Sequence, residues 1–193
     1  LIEAFITRHG RAIAKPVNGE QGKGVLKIED IEGTEYKIFL KERENASYIL
    51  EENVCNCPEL AEINSSSLNT IRATTFVQND GTIRIVSIIL RVGAPGSHVD
   101  NWGAGGVGYN FDIETGICNM YGKDKKNKPY IYHPGSNVQM IGFKLPRYDE
   151  LKHYVNDLAN VFPEARYVGW DIAVTPKGFD LIEMNCPAGH DMF

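Results

Sequence analysis

A strand-rich α+β protein is the fold class that the sequence predicts. Three observations predict it: apolar alternation recurs along the chain, at least three hairpin signatures are present, and only two segments carry a helical pattern. The 193 residues suffice for one substantial domain or two packed lobes. A chain of this size removes about 70% of its unfolded surface from water, so its core needs no disulfide or metal staple.

The elements follow in chain order. In AKPVNGEQGKGVLKI, residues 14–28, Gly19, Gly22 and Gly24 lie between the apolar flanks Ala12-Ile13-Ala14 and Val25-Leu26-Lys27-Ile28. That pattern predicts two strands joined by a flexible turn. A glycine-dense turn offers bare backbone N–H groups that can close around an anion such as phosphate, and an ordinary hairpin loop is the alternative. YKIFLK (36–41) and SYILEENV (47–54) read as strands. Pro58 followed by Glu59-Leu60-Ala61-Glu62-Ile63 predicts a short helix with proline in its first turn.

Residues 70–93 predict a hairpin turning at Asn79-Asp80-Gly81. The glycine-rich stretch 93–112 reads as one long loop, of a length that is usually functional or disordered. In YDELKHYVNDLANVF (148–162), Leu151, Tyr154, Val155, Leu158 and Ala159 share one face of a helix. Residues 167–189, YVGWDIAVTPKGFDLIEMNCPAG, predict a last hairpin with Pro176-Lys177-Gly178 at its tip. No internal repeat or low-complexity block interrupts the pattern.

A net charge of −5 without a basic run argues against a nucleic-acid partner, and no apolar stretch is long enough to span a bilayer. The four cysteines include only the C-x-C of Cys55 and Cys57, neither a zinc knuckle nor a redox pair. Reduced, structural thiols and a cytoplasmic location are expected. Five scattered histidines give no H-x-x-x-H metal spacing. The chain opens on Leu1 instead of methionine, so a piece of a longer protein is expected.

The last hairpin is where chemistry concentrates. Asp171 comes early on one strand, and Glu183 and Asn185 come late on the returning one. Positions equidistant from a hairpin tip become cross-strand neighbours, and residues two apart share a face. Two carboxylates and an amide oxygen on one side of a sheet suit a hard cation such as Mg²⁺. A polar rim on a sheet edge is the plainer alternative. The glycine loop is no Walker P-loop, because Gly24 follows Lys23 where Ser or Thr is required, and its spacing is not the kinase G-x-G-x-x-G. It does place Lys15 just ahead of a turn able to fold over phosphates.

Taken in series, AKPVNGEQGKGV, YILEENVCNCPE and GWDIAVTPKGFDLIEMNCPAG resemble the ATP-grasp superfamily across nearly the whole chain. The resemblance implies the ATP-grasp fold, two α+β lobes with antiparallel sheets clasping ATP. Residues 1–50 would form the smaller lobe with the phosphate loop, and residues 51–193 the larger lobe with the metal site. Lys15 would contact the α/β-phosphates, and the loop with Gly19, Gly22, Lys23 and Gly24 would cover the β/γ-phosphates. Glu51 and the backbone of Val54 would read the adenine edge, and Glu59 would hold the ribose hydroxyls. Asp171, Glu183 and Asn185 would ligate Mg²⁺, with Mn²⁺ as a substitute.

SLNTIRATTFV and VDNWGAGGVG are similar to the arginine strand and the N-x-x-x-G-G loop of the ribosomal-protein glutamate ligases. With RVG and the terminal GHDM, they look closest to the sugar-transfer-associated ATP-grasp proteins, whose members accompany cell-surface polysaccharide genes. Arg72 would then sit at the γ-phosphate or the acyl-phosphate, or else be a solvated strand arginine, and Asn101 would lie near the metal. Arg91 and His98 are lesser candidates for gripping an acidic acceptor. Two departures stand out: Val99 and Gly169 occupy positions where related ligases carry arginine.

The implied activity is an ATP- and Mg²⁺-dependent carboxylate–amine ligase that works through an acyl-phosphate in cell-surface polysaccharide biosynthesis. Its partners would be small-molecule carboxylate and amine substrates, sugar-linked ones among them. An ATP-grasp kinase of a sugar or alcohol, and a catalytically silent ATP-binding module, are the alternatives.

Overall fold

A computed structural model describes residues 2–19, 23–97, 100 and 102–189 of the chain. The chain divides into two compact units, Leu1–Val54 and Cys55–Phe193. The first contains α1 (Ile2–His9), β1 (Ala12–Pro16), β2 (Leu26–Ile28), α2 (Thr34–Glu42) and β3 (Tyr48–Glu52). Residues 51–54 thus belong to the first unit, whereas a boundary after residue 50 was expected.

The strands of the first unit form an antiparallel sheet in the order β2-β1-β3. Ala12, Ala14 and Ile28 line one face and are fully buried beneath Ile6 of α1 and Tyr36 and Phe39 of α2. The small alanines let the helices approach the sheet closely, and the Phe39 ring meets Tyr48 edge-on at 5.4 Å.

Residues 36–41, expected as a strand, form the middle of α2. Six residues are too few for the apolar period to decide between strand and helix. What decides here is burial of Tyr36 and Phe39, three apart on one helical face, while Ile38 and Leu40 stay exposed. No expectation covered α1, whose single buried residue is Ile6.

The second unit contains α3 (Pro58–Ile63), β4 (Thr70–Val77), β5 (Ile83–Val92), β6 (Val107–Asn110), β7 (Gly122–Lys123), β8 (Pro129–Tyr130), α4 (Tyr148–Val161), β9 (Tyr167–Thr175) and β10 (Gly178–Asn185). Its strands make a seven-stranded antiparallel sheet in the order β10-β9-β4-β5-β6-β7-β8. The two hairpins expected at 70–93 and 167–189 are β4–β5 and β9–β10. The first closes with Gln78 N donating to Thr82 O at 2.8 Å, and Gly81 takes the left-handed backbone of the turn with φ +84°.

The stretch 93–112 is not one long loop. It holds a short 3-10 turn at Trp102–Ala104 and then β6, whose buried Val107 and Tyr109 alternate toward the core. Glycines on both sides mask that alternation in the sequence.

Strand alternation gives this sheet one apolar face. Ile71 and Ala73, Ile88 and Leu90, and Val168, Trp170, Ile172 and Val174 pack against Leu60 and Ile63 of α3 and Leu151, Val155 and Ala159 of α4. The helical face expected over 148–162 is the one buried, with Tyr154 and Leu158 partly covered at its margin. The residues between these alternates point the other way, and that second face sets Arg72 and Asp171 among the buried Ile89 and Ala173. All four cysteines are free. No helix among the described residues is long and apolar enough to cross a membrane.

Candidate functional site

The second face of the seven-stranded sheet is organised in cross-strand rows. Arg72 on β4 stands opposite Asp171 on β9, and Asp171 stands opposite Glu183 on β10. The next row is Thr74, Gly169 and Asn185, and the row on the other side pairs Arg91 with Thr70 and Thr70 with Ala173.

The placement of Glu183 depends on one irregularity. Leu181 pairs with Ile172, yet Glu183 pairs with Asp171, so Ile182 is the extra residue of a β-bulge. A regular ladder would set Ile182 opposite Asp171 and turn Glu183 to the Trp170 side, because a one-residue slip exchanges the faces of a strand. The bulge therefore brings the side chains of Asp171, Glu183 and Asn185 to one face, the arrangement expected from the sequence.

Asp171 is buried and its carboxylate is held by two guanidinium groups. Arg72 gives it both Nε and Nη2, the latter at 2.8 Å, and Arg91 gives Nη1 at 2.8 Å. The second Nη of Arg91 donates to Asp100 Oδ1 at 3.2 Å. Asp100 Oδ2 accepts from the backbone N of Thr70 at 3.1 Å and from the Thr70 hydroxyl. Glu183 at the sheet edge is exposed, and Asn185 is half-buried with its Nδ2 enclosed and without a partner among the described residues.

The electrostatics follow from this packing. Burial pulls the Arg72 pKa down, but hydrogen bonds and charge from Asp171, with Glu183 and Asp100, outweigh it and hold the guanidinium charged. Burial pushes the Asp100 carboxyl up, against the pull of Arg91 and Thr70. Two guanidinium charges thus meet three carboxylates, and the carboxylate left without a direct guanidinium contact is Glu183. Among the described residues, no three His, Cys, Asp or Glu side chains stand close enough to hold a metal by themselves. The candidate set is two carboxylates and an amide.

Gly169 explains how Arg72 reaches Asp171. A Cβ at position 169 would lie 3.0 Å from Arg72 Cδ and 3.5 Å from its Nε, so the arginine crosses directly over the glycine. The position where the resemblance expected an arginine is bare, and the Arg72 side chain fills the space above it.

In the first unit, Lys15 on β1 is ion-paired with Glu51 on β3. Both project from the face opposite Ala12 and Ala14, since Glu51 is in register with Ile13 and Lys15 with Ile49. The loop after β1 turns back tightly. Gly19 N donates to Pro16 O at 3.0 Å, and a Cβ on Gly19 would sit 3.1 Å from the carbonyls of Pro16 and Lys23. Gly24 has φ +72°, with space for a Cβ closed by Pro16 Cγ at 2.9 Å. Lys23 is exposed and Val54 half-buried. In the second unit, Glu59 is exposed in the first turn of α3. Gly22, His98 and Asn101 lie outside the described residues.

Asp100 was not foreseen. It stands in a glycine-rich stretch with no motif spacing of its own, and only the partnership with Thr70 and Arg91 reveals it. Arg91, considered for an acidic acceptor, spends both Nη atoms on aspartates of its own chain.

A family model described as sugar-transfer associated ATP-grasp matches residues 2–192. The chain belongs to that family. No curated protein matches it. Among solved structures, the ATP-grasp ligase PsnB in complex with a minimal precursor, Mg and ADP is similar at a TM-score of 0.52 and 14% identity, covering 97% of this chain and 41% of that one. PsnB with a phosphomimetic variant of the minimal precursor, Mg and ADP gives a TM-score of 0.50 and 14% identity, covering 97% and 40%. This chain therefore has the ATP-grasp fold and spans about two fifths of the length of the structures it matches. The strand-rich α+β architecture expected from the sequence is that fold.

Proposed function

We propose that this sugar-transfer associated ATP-grasp chain carries the nucleotide- and metal-binding part of an ATP- and Mg²⁺-dependent ligase. The reaction joins a carboxylate to an amine by way of an acyl-phosphate, with sugar-linked substrates of cell-surface polysaccharide biosynthesis, and a supply of ATP makes the cytoplasm its compartment. The observation that carries this reading is the bulge at Ile182, which sets Glu183 opposite Asp171 with Asn185 beside them.

The donor set fits the group. Its oxygens are hard, one carboxylate lacks a direct guanidinium partner, and the Asn185 amide, whose nitrogen has no partner among the described residues, adds an oxygen beside them. Asp171, Glu183 and Asn185 would hold Mg²⁺, which when bound draws the charge off phosphate oxygens. The chain's own contribution is position and charge. Arg72, already oriented by Asp171, would face the transferred phosphoryl group and the acyl-phosphate, with Asn101 beside the metal. Lys15, turning from Glu51, would meet the α/β-phosphates. Gly19, Gly22, Lys23 and Gly24 would present backbone N–H groups to the β/γ-phosphates. Glu51 and the Val54 backbone would read the adenine edge, and Glu59 the ribose hydroxyls. Removing one such preorganised donor costs about 3 kcal/mol of barrier, by analogy with oxyanion-hole donors.

Thermal unfolding tests the reading. ATP with Mg²⁺ at a hundred times its Kd stabilises the fold by about 2.7 kcal/mol, a shift of a few degrees. Glu183→Gln, at an exposed position, removes the magnesium-dependent part of that shift and leaves the ligand-free Tm unchanged. A shift that survives intact in this variant refutes the metal site.

A further inference from the structure

We infer that Asp100 and Arg91 form a positioning pair that fixes the Asp171 carboxylate for its cation, an inference that rests on the reading of Asp171 as a metal ligand. The chain of contacts is continuous. Thr70 and Arg91 are in register across β4 and β5. Asp100 closes over that pair, accepting from Thr70 N at 3.1 Å, from the Thr70 hydroxyl, and from Arg91 Nη2 at 3.2 Å. Arg91 Nη1 then reaches Asp171 Oδ2 at 2.8 Å.

Counting acceptor sites shows what this arrangement does. A carboxylate offers about four lone-pair positions, two on each oxygen. Asp171 Oδ2 takes Arg72 Nη2 and Arg91 Nη1 and is full, whereas among the described residues Oδ1 takes only Arg72 Nε. One position on Oδ1 stays open, so Asp171 supplies a single oxygen and keeps both arginines. Arg72 alone would leave carboxylate and guanidinium free to swing together as one planar pair. Arg91 stops that swing because its far end is pinned by Asp100.

The Arg91 Nε supports the same conclusion. It is buried and has no partner among the described residues, so the side chain is oriented by its two Nη contacts at the expense of a third. Asp100 is remote in sequence from both Thr70 and Asp171, and its own contacts tie it to the orientation of a carboxylate on β9. Partners of metal ligands act in this way, and losing one typically costs ten- to hundredfold in metal affinity.

The test measures Mn²⁺ binding by the full chain at fixed ADP, from the free-ion electron paramagnetic resonance signal lost beyond that which ADP alone removes. Asp100→Asn raises the Mn²⁺ Kd ten- to hundredfold. Thr70→Val, which removes one hydroxyl contact to Asp100 and stays close in shape, raises it less and carries the test if Asp100→Asn does not fold. A merely structural role lowers the metal-free Tm of these variants without changing the Kd. Wild-type binding with unchanged affinity in the folded variants overturns the positioning role and leaves the metal site standing. Absence of Mn²⁺ binding by the wild type overturns both.

Discussion

Arg72 and Asp171 stand directly opposite one another on β4 and β9, and the guanidinium meets the carboxylate through both Nε and Nη2. Asp171 sits in the floor of the sheet with only 4% of its side chain exposed, so this is an ion pair removed from water. Breaking such a pair from one side strands a buried charge. Arg72→Ala leaves Asp171 with Arg91 as its remaining guanidinium partner, so the second unit loses about 2 kcal/mol, short of the full cost of a stranded charge, read as a fall in the urea midpoint. Arg72→Lys keeps the charge, loses the fork and costs less.

Gly169→Ala acts on the same pair from beneath. The new methyl would lie 3.0 Å from Arg72 Cδ, and the arginine must lift to admit it. A loss of about 1 kcal/mol in unfolding free energy is expected, as for other overpacked sites. Alanine at the neighbouring Asn185 introduces no such crowding, so a smaller loss at 169 than at 185 contradicts this account.

Gly24→Ala strains the first unit alone. At φ +72° an alanine costs about 1–2 kcal/mol, and Pro16 Cγ at 2.9 Å blocks relief by a simple shift. Amide exchange along Ala12–Ala14 should accelerate in this variant, while exchange in β9 stays as in the parent.

His133 sets an acid limit on stability. It is fully buried, Nε2 donates to Gly93 O at 3.2 Å, and burial holds its pKa below the ordinary value. The unfolded histidine protonates near pH 6.5 and the folded one only at lower pH. Between the two values the unfolded chain binds the extra proton, so stability is full above about 6.5 and falls as pH drops through that window. His133→Gln retains a donor for Gly93 and should flatten this limb of the stability curve.

Much of the architecture was legible because its signals are local. Asn79-Asp80-Gly81 and Pro176-Lys177-Gly178 announced two hairpins, and the spacing of Leu151, Val155 and Ala159 announced α4. Where signals were short, tertiary burial decided: Tyr36 and Phe39 made a helix of six residues that alternate equally well as a strand. In the candidate site, Asp171, Glu183 and Asn185 were found from their distances to the hairpin tip. The bulge that turns the last two to the face of Asp171 has no signature in Leu-Ile-Glu. Asp100 escaped notice because its partners, Thr70 and Arg91, are remote in sequence and meet only across the folded sheet.

The unpaired Ile182 also governs which length changes the β9–β10 arm can absorb. Pro176 and Lys177 at the exposed turn can be exchanged for longer loops at the cost of the Lys177 N and Gly178 N contacts to the Thr175 hydroxyl, without changing which way the strand residues below them point. Between Gly178 and Glu183 the rule becomes one of parity: residues added in twos preserve the orientation of both downstream ligand candidates, and a single addition points them into hydrocarbon. Relatives of this chain are therefore expected to vary freely at that turn and only by even steps along the returning strand.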